Sequence, residues 1–168
     1  GVETVAIDGD PRMLDAIHRS AKANEADFPG ADLFLLDQTV DESFSFDDPY
    51  LDDDNYVVKI DVEGAENHAI RALTPLLEAH RVSHLFMEVS PVFENYYPAL
   101  LSEIADLGYQ GWMMPAKRTT PPTVRDIPSF LHRHCFRFTG IPREAMADFV
   151  STMNQFDVVF TRPEAEWA

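Results

Sequence analysis

Apolar positions along the chain alternate between short continuous runs and stripes at helical spacing. "VETVAID" (2–8) is a β-rich run ending in an acid. "GDPRMLDAIHRSAKAN" follows it, and there Asp10 can cap a helix whose first position is Pro11, with Met13, Leu14, Ile17 and Ala21 as its apolar stripe. "ADLFLLDQTV" (31–40) and "NYVVKID" (55–61) read as the next two strands. A helix is expected from about Gly64 to Leu73, restarting at Thr74 and Pro75 through Leu76, Leu77 and His80, because proline interrupts the backbone ladder. "SHLFMEV" (83–89) is a fourth strand. Pro98 opens another helix, with Leu100, Leu101, Ile104 and Leu107 on one face and Gly108 marking its end; "YQGWMMP" (109–115) is a short strand after it. The last part offers "SFLHRHCFRF" (129–138), a helix from Pro142 to about Met153 and a closing strand "FDVVFTR" (156–162).

Strands separated by helices predict an α/β sheet with parallel crossovers, and the apolar character of the strands predicts that both its faces are covered. At 168 residues and 45% hydrophobic the chain suits one domain with a sizeable core. Residues 116–128 are rich in Pro and Thr with Lys117, Arg118 and Arg125, an exposed loop by composition.

Charge narrows the partners. The formal net charge of -16, from 29 acids against 13 bases, repels phosphate backbones and anionic lipid headgroups, so no nucleic acid is expected. "DESFSFDDPYLDDD" (41–54) carries acids and no base and reads as a solvated loop; it lacks the Gly and terminal Glu of an EF-hand. The single cysteine, Cys135, excludes an internal disulfide framework. No apolar window suggests a membrane span, which places the chain as soluble, in the cytoplasm or an organelle interior without choosing between them.

Ligands of open α/β sheets bind outside the carboxyl ends of the strands. The acids collect there: Asp8 closes the first strand, Asp61 and Glu63 the central one, and Glu88 the next. An acid so placed can accept both hydroxyls of a ribose, the role given to Asp8. Gly64 allows a sharp turn and close approach to a ligand, while Glu66 suits the positive end of the following helix as a capping acid. Lys59 shares a face with Val57 and Asp61 by strand alternation, so it should point into a covered layer and pair with Asp61 or Glu88. His68 qualifies as a base by its ordinary pKa, but a lone histidine is more often a surface residue. "LHRHC" sets His132, His134 and Cys135 close together without matching a zinc spacing, so no metal is assigned.

The run "VVKIDVEGAENHAIRAL", then "HLFMEVS" and "LGYQGW", resembles the FkbM-type S-adenosylmethionine-dependent methyltransferase family. Its most specific part is Lys-Ile-Asp-Val-Glu-Gly-Ala-Glu, Lys59 to Glu66 here without a mismatch. "IDGDP" (7–11) is similar to the family's Phe-Glu-Pro-x-Pro segment, with Asp8 in the place of the ribose-binding acid, Pro11 matching the second proline and Gly9 replacing the first. Glu88 matches the family's acid on the next strand, and Gly108 and Tyr109 its Gly-Tyr pair. The resemblance implies a Rossmann-like α/β sheet, mostly parallel with an antiparallel closing strand. It covers a core of 2–114, with 115–168 as a C-terminal extension of one domain. It also implies S-adenosylmethionine as cofactor, with Asp8, Asp10, Asp61 and Gly64 binding it, and Asp61, Glu63 and Glu88 as catalytic candidates. The family's first strand and Gly-rich loop would lie before Gly1, and the interval from Asn24 to Tyr56 is shorter than the family's, so an N-terminally truncated domain is expected. A βαβ unit of ~30 residues would account for the difference, and a sheet lacking its central first strand would show two unpaired edges.

Two functions compete at this stage. One is methyl transfer to an oxygen, or a nitrogen, of a small molecule, sugar or lipid, with one of the three catalytic acids as base. The other is an inactive subunit that keeps the fold for assembly, docking protein partners through the C-terminal part with Phe130, Phe136, Phe138 and Trp167.

Overall fold

A computed structural model describes residues 3–27, 29–30, 32–45, 55–62, 64–89, 96–113, 139–140 and 156–163. The chain divides into two compact units, Gly1–Ser45 and Phe46–Ala168.

In the first unit, β1 (Glu3–Asp8) and β2 (Asp32–Asp37) pair in parallel, with Glu3 opposite Asp32 and Asp8 opposite Asp37, and α1 (Pro11–Ala23) connects them. Helix α1 starts where the sequence sets it. The Asp10 carboxylate accepts the Arg12 amide at 2.9 Å, and Pro11 occupies the first turn, where its missing N–H is no loss. The expected four-residue stripe is not buried as a whole. Leu14 is buried and Ile17 half-buried, but Met13 and Ala21 are exposed, because two strands offer too narrow a surface to cover a full helix face.

The second unit holds β3 (Tyr56–Ile60), α2 (Glu66–Glu78), β4 (Val82–Val89), α3 (Tyr97–Asp106), β5 (Gln110–Met113), β6 (Thr139–Gly140) and β7 (Phe156–Thr161). Its sheet runs β3-β4-β7-β5-β6. β3 and β4 are parallel; β7 inserts between β4 and β5 and is antiparallel to both, and β6 is antiparallel to β5. The architecture is therefore α/β with one parallel and one mixed sheet among the described residues.

The core sits where strands meet helices. Leu85, Met87 and Val89 on one face of β4 and Val158 and Phe160 on β7 are buried with Ile70, Leu73 and Leu77 of α2 and Leu100, Leu101 and Ile104 of α3. Burying one such Leu stabilises the fold by about 1.5–3 kcal/mol relative to leaving it exposed. Val159 and Thr161 on the opposite face of β7 are buried too, so this central strand is covered on both sides as its apolar run predicts. That expectation fails at β3, whose partner among the described residues is β4 alone and whose Val57 is 67% exposed, and for β1 and β2, whose residues are exposed or half-buried.

Helix α2 does not restart at Pro75. It runs unbroken from Glu66 to Glu78, with Thr74 Oγ1 donating to the Ile70 carbonyl at 3.0 Å, and the apolar contacts of Leu73, Leu76 and Leu77 hold it past the one backbone bond that proline cannot make. Its end is a Schellman turn: the His80 amide donates to Leu77 and the Arg81 amide to Leu76, with His80 in the left-handed region (φ 53). The His80 ring stacks on Tyr109 at 5.8 Å, a contact that glycine could not make. The acidic stretch is described only to Ser45, where Asp41 accepts from the Ser43 amide and hydroxyl. The loop 116–128, the "LHRHC" residues and the helix expected from Pro142 lie outside the described residues.

Candidate functional site

At the end of β1, Asp8 Oδ1 accepts the Asp10 amide at 2.7 Å, which fixes the turn into α1. Gly9 is required there by close approach: a Cβ would stand 2.7 Å from Thr39 Oγ1 and 3.2 Å from Thr39 Cα. Asp10 itself is engaged by Arg12. The guanidinium donates from Nη2 at 2.6 Å and from Nε at 3.0 Å, and this ion pair holds the Asp10 carboxyl below the usual carboxylate range.

The second unit carries the eight-residue run from Lys59 to Glu66. β3 ends at Ile60, and the chain then turns through Gly64, whose φ of +102 lies in the region where only glycine is unstrained, before α2 begins. A Cβ on Gly64 would meet nothing within 4 Å, so conformation and not crowding selects glycine here. Glu63 lies outside the described residues. Lys59 Nζ donates to Asp61 Oδ2 at 2.6 Å. The partner is one of the two expected, but the setting differs: the side chains are 71% and 48% exposed, and Val57 on the same face of β3 is exposed too.

β4 supplies Glu88. It is half-buried and faces Asp157 across the antiparallel ladder to β7, one residue beyond the Met87 that pairs with Ile60 of β3. Partial withdrawal from water and then the negative charge of Glu88 push the Asp157 carboxyl up, Lys59 opposes them, and Asp61 adds the smallest upward push. Asp61, Glu88, Asp157 and Lys59 thus form one charged group at the carboxyl end of β3 and β4. The one signal of Asp157 in the sequence is an acid at the second position of a strand that is apolar at Phe156 and from Val158 to Phe160, "FDVVFT".

Glu66 is the residue whose surroundings the sequence least disclosed. As a capping acid it should sit in solvent, yet it is 3% exposed. Its carboxylate accepts the Gly64 amide at 3.1 and 3.2 Å, the Tyr96 hydroxyl at 2.8 Å and the Tyr97 hydroxyl at 2.9 Å. His68, in the same helical turn, is half-buried rather than on the surface; its Nδ1 is enclosed and has no hydrogen-bond partner among the described residues. No group of three or more metal-ligating side chains occurs among the described residues. Among them, too, no helix is long and apolar enough to cross a membrane.

An α/β chain whose strand ends carry carboxylates beside a glycine turn has the general form of a ligand-binding domain. Residues 17–110 match the model of the methyltransferase FkbM domain, more than half of the chain, and the chain belongs to that family. Methyl transfer is the chemistry that membership carries. Comparison with curated proteins and with solved structures gave no match.

Proposed function

We propose that the chain serves methyl transfer from S-adenosylmethionine to an oxygen of a small molecule, sugar or lipid. The observation that carries this reading is the Lys59–Glu66 run. It forms a strand end, a positive-φ glycine turn and a helix start, and it sets Asp61 at the mouth of β3, half open to water.

The residues suit the cofactor by their chemistry. A carboxylate only accepts hydrogen bonds, and the diol of a ribose offers two donors; Asp8, fixed at the end of β1 by the Asp10 amide, has that character. In the second unit, the resemblance to the family assigns Asp61 and Gly64 to the cofactor. Asp10 is committed to capping α1 and to Arg12, so it acts through the shape of the turn. Bound S-adenosylmethionine supplies a methyl group activated by a sulfonium. The chain then has to orient the acceptor hydroxyl and take up its proton, and Asp61, Glu63 and Glu88 are the candidate bases. Lys59, tied to Asp61, keeps that carboxylate's direction fixed. On this reading the chain forms a single domain, with 115–168 as its extension.

Titrating S-adenosylhomocysteine into the full-length native protein tests the reading by calorimetry. Binding that weakens about tenfold in an Asp8→Ala variant that still folds supports it. Binding equal in wild type and Asp8→Ala removes the ribose role, and absence of binding by the wild type removes the methyltransferase reading in favour of an assembly subunit.

A further inference from the structure

We propose that Glu66 is the positioning residue of this site, a buried carboxylate that locks the glycine turn to the start of α3. The assignment rests on the methyltransferase reading above, which makes the turn from Asp61 to Gly64 part of the site.

A carboxylate nearly removed from water is costly unless its oxygens are satisfied. No lysine or arginine forms an ion pair with Glu66 among the described residues. Its charge is held by one backbone amide and two phenol hydroxyls, with the positive end of α2 adding to them. A first-turn acid that only compensated the helix dipole would need none of this; an exposed carboxylate does that.

What the network fixes is Gly64. Glu66 takes the Gly64 N–H, and the Tyr96 hydroxyl lies 3.1 Å from the Gly64 carbonyl as well as 2.8 Å from Glu66 Oε2. Its single proton can go to either acceptor. The amide of the one residue held at φ +102 is therefore tied to the first residue of α2, and its carbonyl shares with Glu66 the hydroxyl of a residue 32 positions away. Burial, and then the bond to Glu66, push the Tyr96 phenol up, which keeps it a donor. Tyr97 adds the second hydroxyl from full burial, its ring 4.6 Å from that of Tyr96, so the anchoring oxygen cannot swing away without unpacking the start of α3. The turn that presents Asp61 and the segment that opens α3 consequently move as one.

The test uses the full-length native protein with Glu66→Gln and Tyr96→Phe, and Tyr109→Phe for comparison. Tyr109 is buried in the same unit and donates to Val82 O at 2.9 Å, so its loss removes a similar bond away from the turn. Two quantities are read: affinity for S-adenosylhomocysteine, and hydrogen exchange at the Gly64 amide. Glu66→Gln and Tyr96→Phe should each weaken binding about tenfold or more and accelerate Gly64 exchange, while Tyr109→Phe lowers Tm and leaves both unchanged. Should Glu66→Gln fail to fold, Tyr96→Phe decides alone. Wild-type binding with Tyr96→Phe binding equally well, or Gly64 exchange unaltered, overturns the assignment and leaves the methyltransferase reading intact. A wild type that does not bind overturns the methyltransferase reading, and this assignment with it.

Discussion

Replacing Gly64 by alanine separates what the turn contributes to folding from what it contributes to a ligand. With φ at +102 and no atom within 4 Å of the new Cβ, the cost is confined to backbone conformation. A residue with a Cβ loses about 1–2 kcal/mol in the left-handed region, while the stiffer unfolded chain returns about 0.4–1 kcal/mol, leaving a net loss of about 1 kcal/mol. For a chain of this length that lowers Tm by about 2–4 °C. Gly108 is the matched comparison. It lies in the same unit at φ +93, and its added Cβ would make only an ordinary contact, 3.6 Å from His80. Urea unfolding should therefore show Gly64→Ala and Gly108→Ala destabilised by about the same amount, roughly 1 kcal/mol each. Calorimetry with S-adenosylhomocysteine should separate them: affinity falls about tenfold in Gly64→Ala and stays within about twofold of wild type in Gly108→Ala. A Gly64→Ala protein as stable as wild type refutes the conformational argument. Equal affinities in the two variants refute the place of Gly64 in the site.

Three further substitutions probe the strand ends and the turn after β1. Asp157 faces Glu88 and has a raised pKa in the fold, so its contribution to stability is fully present below its unfolded pKa and is lost as pH rises through the folded value. Asp157→Asn should raise Tm at pH 7 by an amount matching roughly 0.2–1 kcal/mol, the size of a like-charge cross-strand pair, and the gain should vanish as pH falls through the carboxylate range; a pH-independent change in Tm rules this out. Gly9→Ala forces a Cβ against Thr39, so thermal unfolding of the variant should show a loss of about 1–3 kcal/mol. Thr39→Ala in the same chain removes the Oγ1 that stands 2.7 Å away and should recover part of that loss, whereas an unperturbed single variant means the turn is not packed as described.

The sequence alone determined what short-range chemistry controls. Asp10 caps α1 because its side chain needs to reach only two residues along the chain, and Gly64 and Gly108 can take positive φ because they carry no Cβ. The alternation of apolar runs and stripes placed most elements, and the Lys59–Glu66 run identified the family from local identity. The tertiary structure decided what depends on partners distant in the chain. Whether Pro75 ends a helix depends on whether the leucines beyond it find a core, and they do. Whether Lys59 is covered depends on what packs over its face of the sheet; the alternation that buries β7 on both faces leaves Val57, on the face of Lys59, 67% exposed. Glu66 reads as an ordinary capping acid until Tyr96 and Tyr97, about 30 positions further on, fold over it. Asp157 gains its charged neighbours only when β7 enters the sheet antiparallel beside β4, a choice of register that no periodicity in its own six residues records.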